Sequence, residues 1–81
     1  MNRLDPEILD YYDNEVVEMI VQKYGMSYMN AFREFANSKT HLMLENPAHG
    51  LTSYGAGALF DIWEAEKVTG EPYNSIYIRG E

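Results

Sequence analysis

His41 and Glu45 stand four residues apart, and His49 follows in a stretch rich in turn formers. On a helix the first two share a face, and two imidazoles with a carboxylate are donor types that zinc accepts. The spacing matches no zinc motif, and HExxH is absent. With no cysteine in the chain, thiolate-held zinc, iron–sulfur clusters, disulfides and thiol catalysis are excluded. Rim histidines are expected instead, with Lys39 and His41 on the wet side of their helix.

Ser38, Lys39 and His41 combine a nucleophile type with base types. Lys39 directly follows Ser38, so the SxxK spacing is missing, and neighbours this close seldom converge on one substrate. Asp61, Glu64 and Glu66 bring carboxylates near Trp63. A carboxylate pair divides acid and base work only across a desolvating cleft, whereas Glu64 and Glu66 point to different sides of a helix. Lys67, three residues on, is the expected partner of Glu64. Gly55-Ala56-Gly57 carries neither GxGxxG nor the ending of a phosphate loop. The expectation is a protein with no catalytic residue, no metal and no cofactor.

The elements that hold these residues read as helices. Asp5-Pro6-Glu7 is a helix start, with an amide acceptor, a proline where its missing N–H costs nothing, and an acid at the positive end. Ile8, Tyr12, Val16 and Ile20 recur every four residues, Leu9, Val17, Val21 and Tyr24 widen the stripe, Asn14 is a point of interruption, and Gly25 closes it. Ser27 caps a second helix whose buried side is Tyr28, Ala31, Phe32, Phe35 and Ala36. Ser38 caps a third over 39–45, anchored by Leu42, Met43 and Leu44. Residues 46–54 are turn material with Leu51 as a plug. Ser53 is the cap candidate for a fourth helix, reaching about Thr69 and packing through Ala56, Leu59, Phe60, Ile62 and Trp63. Gly55 and Gly57 weaken its first turn but allow close approach. Gly70 and Pro72 stop it.

Residues 75–78 have strand propensity and no helical partner, so they form a strap across the helices or an edge for another chain. The fold expected is all-α: a compact bundle of about four helices with an extended C-terminal tail or strap. The 81 residues form a single domain, with 71–81 as a possible interaction tail.

The net charge is −7, and Asp5, Glu7, Asp10, Asp13, Glu15 and Glu18 face only Arg3 within their stretch. Such a surface repels duplex DNA and suits a basic protein partner. No apolar run reaches the roughly 18 residues of a membrane helix, and the first twenty residues do not read as a signal peptide, so a cytoplasmic protein is expected. Tyr11, Tyr54, Tyr73 and Tyr77 flank loops or the tail, where tyrosine favours protein contact. Tyr73, Ile76, Tyr77 and Ile78 are the candidate protein-binding residues, whether toward another protein or in self-association.

A nucleic-acid reading competes. Residues 18–44 also read as helix, tight turn, helix, with 27–37 as a recognition helix offering Ser27, Asn30, Arg33 and Asn37, and Lys39 just beyond. The acidic first helix, a lone arginine and the lack of a basic stripe weigh against it.

Three stretches, VEMIVQKYGMS at 17–27, AFREFANSKTHLML at 31–44 and GLTSYGAGALFDIWEAE at 50–66, together resemble a family of short uncharacterised bacterial helical proteins, some encoded beside toxin-like or ADP-ribosyltransferase-like genes. The matching positions are Ala31, Phe35, Ser38, Thr40, Leu44, Leu51, Gly55 and Glu66. NPAH at 46–49 stands where an acidic turn is more typical, and the tail is longer and more aromatic. The resemblance implies an antitoxin-like regulator and carries across no catalytic residue. The function expected is a non-catalytic protein-interaction module; the alternative is a small helix–turn–helix DNA-binding regulator.

Overall fold

The computed structural model describes residues 4–72 and 75. Four α-helices follow in order: α1 (Pro6–Tyr24), α2 (Tyr28–Ala36), α3 (Lys39–Glu45) and α4 (Gly55–Thr69), with 3-10 turns at Pro47–His49 and Leu51–Tyr54 between the last two. There is no strand among the described residues. The fold is all-α, as the periodicity predicts. The tail positions Tyr73, Ile76, Tyr77 and Ile78, and with them the expected strap beyond Ser75, lie outside the described residues.

Local chemistry sets the helix ends. Asp5 Oδ1 accepts the Glu7 N–H at 2.9 Å, and α1 then runs unbroken through Asn14. Gly25 ends it at φ 69°, donating its N–H to the Val21 carbonyl. A side chain there would meet nothing within 4 Å, so only the left-handed backbone demands glycine. Ser27 Oγ accepts from Asn30 N and Ser38 Oγ from His41 N, each satisfying an amide that the first turn leaves open.

Ser53 does not cap α4; its hydroxyl donates to the Gly50 carbonyl at 2.8 Å. The chain enters α4 through Gly55 at φ 81°, ψ 167°, a conformation that side chains disfavour. Nothing lies within 4 Å of a Cβ built on Gly55 or Gly57, so close approach is not what these glycines serve.

The core is formed by Val16, Val17 and Ile20 of α1, Ala31 and Phe35 of α2, Met43 and Leu44 of α3, Leu51, and Leu59, Ile62 and Trp63 of α4. Full burial of each large aliphatic side chain contributes about 1.5–3 kcal/mol. α1 packs on both α2 and α4, α3 and the Leu51–Tyr54 turn close against α4, and the Pro47–His49 turn packs on α3. Beyond α4, Pro72 is buried, and buried Ser75 donates its hydroxyl to Asp61 at 3.1 Å.

Leu42 departs from the expected core, being 68% exposed. α3 turns Thr40, His41, Met43 and Leu44 inward, which aims Leu42 at solvent. Tyr28 and Phe32 are likewise exposed, because α2 buries only the narrow stripe of Ala31 and Phe35.

Candidate functional site

His41 is not on the wet side of α3. It is 9% exposed, with Nε2 lying 2.9 Å from Asp13 Oδ1 on α1 and Nδ1 3.4 Å from Glu45 Oε1 on its own helix. The Phe35 ring stands edge-on against it. Among the described residues, buried Asp13 Oδ1 and His41 Nε2 have no well-aligned hydrogen bond, although they lie 2.9 Å apart. Burial opposes a positive ring, but the Asp13 contact and the charges of Asp13 and Glu45 outweigh it and hold His41 above its ordinary value. With each nitrogen turned to a carboxylate, the ring suits an imidazolium and offers no lone pair to a metal. His49 is exposed in its 3-10 turn. Among the described residues no group of three or more His, Cys, Asp or Glu could hold a metal ion.

The acids of α4 act as ties between elements. Glu66 accepts from Lys39 N, Thr40 N and the Thr40 hydroxyl, closing the N-terminus of α3. Glu64 takes the Lys23 ammonium at 2.6 Å and also the Tyr24 hydroxyl, both from the end of α1. It does not pair with Lys67, whose ammonium reaches Glu34 of α2. Partial burial opposes ionisation of Glu64, yet the Lys23 and Tyr24 bonds hold it below the usual carboxylate value. Such a group is poorly matched to proton transfer near neutrality. Asp61 accepts from Ser75. Each carboxylate faces a different partner, so they do not converge as an acid–base pair.

A groove of about 490 Å³ runs along the end of α1 and α4, lined by Lys23, Tyr24, Asp61, Glu64, Ala65, Val68 and Ser75. Its polar side chains bond largely to one another. The indole N–H of core Trp63, whose ring meets that of exposed Tyr24, is buried without an acceptor among the described residues.

Of the residues considered for DNA, Asn30, Arg33 and Asn37 are exposed along the outer side of α2. Lys39 is exposed too, but its ammonium lies 3.0 Å from the Gly70 carbonyl oxygen and 3.7 Å from Glu71. Arg33 is thus the one cation among the four without a bonded acid or carbonyl partner in the described structure.

The exposed side of α1 is different in kind. Glu7, Tyr11, Asn14 and Glu18 follow at spacings of four, three and four, forming one solvent-facing stripe, with Asp10 beside it. No Lys or Arg occurs in α1 before Lys23. Asp13 is withdrawn from this surface by His41, and Asp5 serves as the helix cap. Asn14 Oδ1 accepts the Tyr28 hydroxyl at 3.0 Å, joining the stripe to α2. There Tyr28 and Phe32 stack with centroids 6.5 Å apart and planes at 22°. Their four-residue spacing signals a pair, but that spacing alone reads equally as core.

No protein-family model, curated protein or solved structure matches the chain. Among the described residues, no helix is long and apolar enough to cross a membrane.

Proposed function

We propose that this protein is a non-catalytic interaction module that docks on a basic protein partner. The observation that carries the proposal is the exposed face of α1, where Glu7, Asp10 and Glu18 surround Tyr11 and, among the described residues, no basic side chain intervenes. Tyr11 is 59% exposed and Ile8 44%, so apolar contact area is interleaved with the charge. Charge speeds encounter with an oppositely charged protein, while aromatic area supplies most of the binding energy. The tail residues Tyr73, Ile76, Tyr77 and Ile78 are proposed as a further part of the contact.

The resemblance to short bacterial helical proteins supports an antitoxin-like setting in the cytoplasm, in which the partner is a toxin-like enzyme with a basic cleft. Its matching positions include buried Ala31, Phe35, Leu44 and Leu51 together with the Ser38, Thr40 and Glu66 cap. A shared scaffold is what such positions convey.

The test is quantitative mass spectrometry of proteins retained from native-host lysate by the full chain and by an E7Q/D10N/E18Q variant. A basic protein retained by the first and lost with the second supports the proposal. Retention unaffected by the variant sends the contact elsewhere. Duplex DNA binding that depends on Arg33 favours the helix–turn–helix alternative, and turnover of a substrate panel that is abolished by a point substitution overturns both.

A further inference from the structure

We infer that the seam between α1 and α2 is an arginine-reading surface, occupied by a basic amphipathic segment of the partner protein. The inference rests on the function proposed above and specifies its partner. Asn14 joins the two sides of the seam through its 3.0 Å bond to Tyr28. On the α2 side, the near-parallel rings of Tyr28 and Phe32 form an aromatic ledge, 43% and 38% exposed. On the α1 side, Tyr11 is more exposed still, and Glu7, Asp10 and Glu18 lie within one or two turns of Asn14.

Charge complementarity selects the occupant. A second copy of the chain would set one acidic face against another, and each copy carries a net −7. Nucleic acid and anionic lipid are repelled for the same reason. A basic protein segment is attracted, and its apolar side can cover the rings.

Arginine fits better than lysine. Its planar guanidinium is weakly hydrated, stacks on an aromatic face and can present two N–H groups to a carboxylate at once. Lysine's compact ammonium keeps its water and offers no plane to stack. Arg33, on the outer side of α2, sets the limit of the favourable surface, because a cation docked there meets like charge.

The experiment titrates the ¹⁵N-labelled full chain with a synthetic amphipathic helical peptide bearing arginines along one face, and with its twin bearing lysine at each of those positions. The expected result is chemical-shift change centred on Tyr11, Asn14, Glu18, Tyr28 and Phe32, with the arginine peptide bound about fivefold more tightly than its twin. Phe32→Ala should erase that preference, while Tyr28→Phe, which keeps the ring, should retain it. If Phe32→Ala does not fold, Tyr11→Ala carries the same comparison from a more exposed position. Equal affinity for the two peptides, or shifts centred away from the seam, overturns the inference while leaving an acidic interaction module standing. Failure of both peptides to bind overturns the inference as well, and lysate capture then decides the broader proposal separately.

Discussion

Glu66 Oε1 accepts both the backbone N–H and the hydroxyl of Thr40, each at 2.8 Å, across a separation of 26 residues. Glu66 Oε2 takes the neighbouring Lys39 N–H at 2.9 Å. A seven-residue helix such as α3 is too short to persist alone, since nucleation costs more than so few bonds return. Ser38 from within and Glu66 from α4 satisfy three of its opening amides, and the acid faces the positive end of the helix.

Replacing Glu66 with Gln should therefore destabilise the fold by about 1.5–3 kcal/mol, the range for hydrogen bonds to a charged group. Thr40→Val should cost less, because the backbone bonds to Glu66 remain. A urea titration followed by the fluorescence of Trp63, the single tryptophan, measures both. The double variant should fall short of the summed effects by at least about 0.5 kcal/mol, as expected of residues in direct contact.

His41 should make stability depend on pH above the ordinary histidine value. Its pKa is raised in the fold above the ordinary 6.5. A raised pKa means that the folded state holds the proton more tightly, so the stabilisation is complete below about 6.5 and is lost as pH climbs through the folded value. The urea midpoint should thus decline on moving from pH 6.5 upward, and Asp13→Asn should flatten that decline. In an NMR titration the His41 ring should change charge at a higher pH than an unstructured histidine. An unshifted or lowered His41 titration would contradict the assignment.

Position on the helix should separate residues that look alike in composition. Ile20→Ala and Leu59→Ala, at fully buried sites, should each cost about 2–5 kcal/mol. Leu42→Ala should stay within about 0.5 kcal/mol of the parent, since that side chain is 68% exposed. Thermal melts of the three variants decide the matter.

Gly25→Ala should cost about 1–2 kcal/mol although no neighbour obstructs the new methyl group. The penalty is carried by the backbone, at φ 69°. A circular-dichroism melt checks it. A neutral effect would mean that the end of α1 can relax into a right-handed turn.

The sequence by itself determined the helices and most of their ends. Asp5, Ser27 and Ser38 bond amides only two or three residues away, and Gly25 and Gly70 supply the left-handed turns that stop α1 and α4. Chemistry of that range is written in adjacent letters. The third helix was legible for the same reason, as was the central stripe of Val16, Val17 and Ile20.

Only the tertiary structure decided which polar side chains belong to the interior. His41 meets Asp13 from 28 positions earlier, Glu64 meets Lys23 rather than Lys67, and Leu42 faces out while Thr40 faces in. Spacing within a helix shows which residues share a face, but the direction of that face depends on how the helix docks. Docking is settled by the summed burial of several elements, so long-range pairings such as Thr40 with Glu66 follow from the packed bundle rather than from either local sequence.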